Sequence, residues 1–215
     1  MQQIQLADNI ILEGDLRIPS GASGIVLFAH GSGSSRHSPR NQFVANMLNE
    51  AGLATLLFDL LTADEERKDR YTAQLRFDIR LLSQRVIEAT EWLLHQEMTR
   101  TLPIGYFGAS TGAAAALVAA AALPATVRAI VSRGGRPDLA GQVLTRVQAP
   151  TLLIVGGEDT QVIELNRLAL ALLPGDKRLE IVPGATHLFE EPGALEQVAR
   201  LASDWFTRYL VLAVS

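Results

Sequence analysis

GYFGASTGAAAA, residues 105–116, sets Ser110 between Gly108 and Gly112 in the pattern G-x-S-x-G. A serine hydroxyl is a weak nucleophile until a base takes its proton, and the usual base is a histidine oriented by a carboxylate. Of the four histidines, His187 in VPGATHLF follows the last expected strand by a short glycine-containing loop. His30 closes an earlier strand, where it orders the next loop; His95 falls on an exposed part of a helix, and His37 in a loop. IVGGEDT supplies a carboxylate in Asp159, with Glu158 and Asp59 as competitors. Glu158 would point elsewhere from the same turn, and Asp59 lies in an earlier crossover. Taken in the order Ser110, Asp159, His187, these residues could carry acyl transfer.

Such chemistry needs elements that bring three distant residues to one edge. The pattern predicts strands over 2–6 and 10–18 around a turn at 7–9, then GIVLFAH as a continuous apolar strand buried on both faces. Ser38 is a good N-cap with Pro39 at the first helical position, and Gly52 closes that helix. LATLLF (53–58) reads as a second buried strand, followed by TADEERKDR as a charged loop, either solvated or folded over the ligand edge. Leu75, Ile79, Leu82, Val86, Leu93 and Leu94 then keep helical spacing to about residue 97.

Strands at 102–107, 127–132, 151–155 and 178–182 alternate with helices at 111–122, 138–146, 161–172 and about 193–210. This alternation implies crossovers, hence a mostly parallel sheet with helices on both faces, an α/β fold. In such a sheet ligands sit beyond the carboxyl ends of the strands, where all three candidates fall. Ser110 lies at a strand-to-helix turn, and the alanines after it let the helix approach the sheet closely.

The 215 residues suit one domain, 1–215, with neither linker nor repeat visible; 48% hydrophobic and 20% charged residues fit a folded core. A formal charge of −4 gives no general pull toward nucleic acid or an anionic membrane. Zero cysteines exclude disulfides, thiolate metal sites and a cysteine nucleophile. The start MQQIQLADNI lacks the basic and apolar regions of a signal peptide, and no apolar stretch reaches the roughly 20 residues of a membrane span, so a cytoplasmic protein is expected. LVLAVS at the C-terminus reads as a homo-oligomer contact or as the end of a buried helix.

AHGSGSS, GASTG, GGEDT and GATHLF together resemble the α/β-hydrolase superfamily, in its compact, lidless branch of dienelactone hydrolases and small bacterial carboxylesterases. The resemblance covers nearly the whole chain. It implies an oxyanion hole made by the backbone N–H groups of Ser32 and Thr111, and no metal or organic cofactor. Only about 18 residues, 133–150, stand where that superfamily often inserts a cap, which implies an open site. Serine departs from the cysteine of dienelactone hydrolases proper and favours a serine carboxylesterase acting on small-molecule esters with accessible acyl groups. A thioesterase or lactonase would use the same triad, and a non-catalytic ligand-binding protein could share the fold. Arg36, Arg40, Arg133 and Arg136 recur in the ligand-side loops. They suit either an anionic group on the substrate or ion pairs with Asp138, Asp64 or Glu65.

Overall fold

The computed structural model describes residues 2–210. Its strands are β1 (Gln2–Gln5), β2 (Ile11–Arg17), β3 (Ile25–Ala29), β4 (Ala54–Phe58), β5 (Ile104–Ala109), β6 (Val127–Arg133), β7 (Thr151–Gly156) and β8 (Lys177–Val182). They form one sheet in the order β1-β2-β4-β3-β5-β6-β7-β8. β1 pairs antiparallel with β2 and β2 with β4, while all other neighbours are parallel. The α/β architecture expected from the alternation is therefore present. Of the LVLAVS tail, all but Leu210 lies outside the described residues.

The central strands are buried on both faces because helices cover both sides: every residue of β3, β4, β5 and β7 is buried. One face packs under α1 (Pro39–Glu50) and α6 (Ala194–Tyr209), with Val44, Leu48, Ala199 and Phe206 against Phe28, Phe107 and Val131. The other packs under α3 (Ile79–His95) and α4 (Thr111–Ala122), with Leu82, Val86, Ala115 and Ala116 against Leu27, Leu56 and Ile130. α4 is enclosed by the sheet, by α3 and by the 3₁₀ segment Pro137–Arg146. That enclosure explains its alanines, since a helix apolar on all sides must be covered on all sides. α1 begins as its sequence predicts, with Ser38 Oγ accepting from Asn41 N at 3.3 Å and Pro39 opening the helix.

Two expectations need correction. TADEERKDR is not a loop: residues Ala63–Thr72 form α2. Thr62 and Glu65 make a reciprocal capping box, Asp64–Arg67 and Glu66–Arg70 pair along the helix, and Ala73 ends it in a left-handed conformation. α2 has no apolar stripe, so hydrophobic periodicity misses it; charges anchor it instead. Glu65 pairs at 2.8 Å with Arg85, whose side chain is 4% exposed. The second correction concerns α3, which begins only at Ile79: Leu75 stands in the separate 3₁₀ turn Leu75–Phe77, and Leu94 is exposed, which leaves the inner face of α3 to Leu82, Val86, Ala89 and Leu93.

Candidate active site

Strand register places the candidate loops side by side. Ala29 pairs with Gly108, Ala109 with Arg133, Arg133 with Ile154 and Gly156 with Val182, so the exits of β3, β5, β6, β7 and β8 share one edge. Ser110 follows β5 at φ 51°, ψ −122°, a conformation that L-residues rarely adopt. Its N–H donates to Arg133 O at 3.3 Å, and its carbonyl accepts from Ala113 N at 3.1 Å and Arg136 N at 3.0 Å. The chain thus turns sharply from strand into α4 with the Ser110 side chain half-buried at the edge. A Cβ on Gly112 would fall onto the carbonyl oxygens of Ala29 and His30, so only glycine lets α4 start this close to β3.

Asp159 and His187 meet through a second junction. Glu158 N donates to Ala185 O at 3.0 Å and Gly157 N to Val182 O at 2.8 Å, tying the loop after β7 to the loop after β8. A Cβ on Gly156 would collide with the carbonyls of Ala185 and Thr186. His187 Nδ1 lies 2.6 Å from Asp159 Oδ2, with side-chain exposures of 40% and 16%. Asp159 stands at the N-cap of α5 (Thr160–Leu172) but makes no capping bond, which leaves its carboxylate to the imidazole. Glu158 is exposed, and Asp59 is committed to the backbone N–H and guanidinium of Arg36.

The imidazole sits on the β6 side of Ser110: a Cβ on Gly134 would lie 3.5 Å from His187 Cε1. Among the described residues no hydrogen bond joins Ser110 Oγ to His187. In unliganded enzymes this contact is commonly long and tightens with substrate in place.

On the opposite side, the space for a Cβ on Gly31 is 3.1 Å from Ser110 Cβ, which brings the loop after β3 against the serine. Thr111 N–H belongs to the first turn of α4, where a helix leaves its N–H groups without intrahelical partners. Ser32 N–H does not stand open as the sequence suggests: it donates to Thr111 Oγ1 at 3.0 Å. A carbonyl oxygen arriving there would share or displace that hydroxyl.

His30 orders this loop, as expected from its place at the strand end. Its Nδ1 is 2.9 Å from Gly31 O and its Nε2 accepts from Leu60 N at 3.1 Å, a pattern that requires the neutral Nδ1–H tautomer. Burial pushes its pKa down from the usual histidine value, against smaller opposing effects of the Gly31 carbonyl, Asp59 and Glu66. Unfolded His30 therefore binds a proton before the folded one does. Its stabilising contribution is complete above about pH 6.5 and is lost as pH falls from there through the lower folded pKa. Denaturant unfolding of the wild type and His30→Gln between about pH 7 and pH 5 should show the steeper loss in the wild type; parallel slopes would contradict this account.

The arginines divide. Arg36 is 10% exposed at its side chain and is bound by Asp59, Glu13 and Asp15. Arg136 grips Asp138 in a bidentate pair at 2.9 and 2.8 Å, and Arg40 reaches Glu190 at 3.2 Å. Arg133 is not a rim residue: it is 8% exposed, lies 6.0 Å over the Phe107 ring, and its buried Nη1 lacks a partner. Burial, reinforced by nearby Arg40, pushes its pKa down to about 10. Sequence reasoning missed Arg76. Its Nε lies 2.5 Å from Oδ2 of the buried Asp69, a pair that only the unrecognised α2 could have suggested.

A sharp serine turn, a histidine–carboxylate pair and a glycine-rich loop at one edge of a mostly parallel sheet define a class of hydrolytic fold. The profile of a family described as an alpha/beta hydrolase domain matches residues 22–200, and the chain belongs to that family. Within it the chain is dienelactone hydrolase-like: the crystal structure of a dienelactone hydrolase from Anabaena variabilis is 61% identical, with a TM-score of 0.96 over 97% of this chain and 96% of that one. The esterase domain of a Rhodothermus marinus protein shares the fold at 18% identity, with a TM-score of 0.76 over 97% and 98% of the two chains. A provisionally named phosphoribosyl transferase of Mycobacterium tuberculosis is 60% identical over 210 residues, which cover 97% of this chain and 46% of that protein. The chain thus spans about half the length of the curated relatives it matches. Among the described residues no helix is long and apolar enough to cross a membrane.

Proposed function

We propose that this α/β hydrolase is a serine hydrolase of small carboxylic esters, working through an acyl-enzyme on Ser110. The observation that carries the reading is the 2.6 Å His187–Asp159 pair beside a serine held at φ 51°, ψ −122°. Asp159 stays ionised and accepts a hydrogen bond from Nδ1–H, which leaves the Nε2 lone pair for the serine. Ser110 Oγ bonds to the carbonyl carbon while its proton passes to Nε2. The tetrahedral oxyanion is stabilised by the N–H groups of Thr111 and Ser32, one such donor typically contributing about 10²- to 10³-fold. As the C–O bond to the alcohol breaks, the Nε2 proton goes to the departing oxygen. Water then repeats the sequence on the acyl-enzyme and regenerates Ser110. No step calls on a metal or organic cofactor.

A lactone substrate is the second reading, favoured by the name of the Anabaena relative. Lactone opening would use the same bonds, with the leaving alcohol retained on the acyl chain. The transferase name belongs to proteins more than twice as long as the matched part and is not carried over to this domain.

The test is labelling by a fluorophosphonate, with the site located by peptide mass. One adduct on Ser110, blocked by prior hydrolysable ester, is expected. No adduct, or one elsewhere, would contradict the reading and favour a binding protein on the hydrolase fold. Initial rates on a matched ester, thioester and lactone then rank the substrate classes.

A further inference from the structure

Next to the loop after β3 lies a cavity of about 220 Å³, bounded by the exits of β3 and β4, by α2 and by the Leu75–Phe77 turn. Leu60, Leu61 and Leu82 give it an apolar side; Ser34, Glu66 and Arg76 are among its polar groups. Neither the sequence motifs nor the family resemblance assigns it a role.

The order of the strands assigns its relation to the reaction. Ser110 stands at the exit of β5, the cavity over β3 and β4 on one side, and His187 against Gly134 after β6 on the other. The departing alcohol takes its proton from His187 and so lies on the β6 side. In that reaction the acyl chain would be directed the opposite way, past Ser32 and Gly33 toward the cavity.

Arg76 is held in a single pose there. The Asp69 carboxylate, 2% exposed, accepts from Leu75 N at 2.7 Å, Arg76 N at 3.3 Å and Arg76 Nε at 2.5 Å, while Arg76 Nη2 donates to Asp69 O at 2.9 Å. Burial would raise this carboxyl, but the hydrogen bonds from Arg76 and Leu75 outweigh it and hold the group below the usual range. Nη1 remains, 3.7 Å from the place a Cβ on Gly33 would take, in the same loop whose Gly31 abuts Ser110. The rotamer freedom that normally weakens an arginine contact is already removed.

Resting on the reading of Ser110 as acyl acceptor, we propose that Arg76 is a specificity residue whose Nη1 donates to a neutral oxygen, hydroxyl or carbonyl, carried on the acyl chain. A carboxylate is the wrong partner. The carboxylates facing the cavity are already matched to cations, Asp59 to Arg36, Glu66 to Arg70 and Asp69 to Arg76, so an added carboxylate would be desolvated without a counter-charge of its own. A plain alkyl chain would desolvate Nη1 and give it nothing in return.

The experiment compares kcat/KM for methyl 3-hydroxybutyrate, methyl butyrate and monomethyl succinate on the wild type, Arg76→Met and Arg76→Lys. The wild type should prefer the hydroxy ester about 10-fold or more over butyrate and disfavour succinate. In Arg76→Met the hydroxy-to-butyrate ratio should fall to near one. Arg76→Lys keeps a cation beside Asp69 where the methionine variant fails to fold, and should lose the preference as well. A purely structural role for Arg76 would lower both rates together and leave the ratio intact.

The ratio of 2-hydroxyethyl butyrate to ethyl butyrate, which moves the hydroxyl to the alcohol, should not depend on Arg76. A wild-type ratio near one, a ratio unchanged in both variants, a preference for succinate, or Arg76 dependence on the alcohol side would each overturn the proposal. If Ser110 labels and the esters turn over, only this inference falls. If Ser110 does not label and no ester is cleaved, the hydrolase mechanism falls with it.

Discussion

Ser110→Ala is expected to lower kcat on a p-nitrophenyl short-chain ester by about 10⁶-fold, the loss typical of removing a serine nucleophile from such a triad. The size follows from the division of labour at the site. On the proposed mechanism no acyl-enzyme forms without Oγ and His187 has no serine proton to take, which leaves direct attack by water, helped by binding and the oxyanion donors. The fold should not notice. Ser110 makes its structural bonds through its backbone N–H and carbonyl, to Arg133 O, Ala113 N and Arg136 N, and alanine keeps them all. Thermal unfolding should therefore stay within about 2 °C of the wild type. Ester turnover within tenfold of the wild type would show that another group carries the reaction. A large drop in unfolding temperature would show that the hydroxyl is structural.

Asp159→Asn should lower kcat by about 10⁴-fold with little change in KM, for a different reason. At 2.6 Å the carboxylate can only accept, so it fixes the proton on Nδ1 and presents a lone pair at Nε2. An asparagine amide offers a donor at the same place, which reverses the tautomer and puts a proton where the serine needs a base. Asp159→Ala should lose as much through a freely rotating imidazole. Because Asp159 makes no capping bond, neither change should melt the start of α5. A loss under tenfold in both would hand the orienting role to another carboxylate. Glu158 is exposed and Asp59 is held by Arg36, so each would have to move to take it.

The parts of the fold legible in the sequence are those specified by short-range physics. β3 and β4 announce themselves as apolar runs too short for helices, and α1 by Ser38 and Pro39 at its start and Gly52 at its end. α2 was equally local and was still missed, because apolar periodicity says nothing about a helix stabilised by charge. T-x-x-E at Thr62–Glu65, with acids followed by arginines three or four residues on, is the signal that finds it. The difference matters beyond bookkeeping, since α2 and the Asp69–Arg76 pair wall the cavity beside the serine.

By itself the sequence determined the alternation of strand and helix, the tight serine turn and the placement of Ser110, Asp159 and His187 after three different strands. Those features depend on neighbours along the chain. Tertiary structure decided which charges meet. It chose Asp159 over Glu158 for His187, turned Arg36 and Arg136 into ion pairs, buried Arg133 against Phe107, and closed Ser32 N–H with the Thr111 hydroxyl. Charged and polar partners are selected by distance and desolvation across elements far apart in sequence, such as Arg36 with Glu13 or Arg40 with Glu190. Spacing along the chain places a side chain on an edge of the sheet; what it touches there is set by the loops that converge on it.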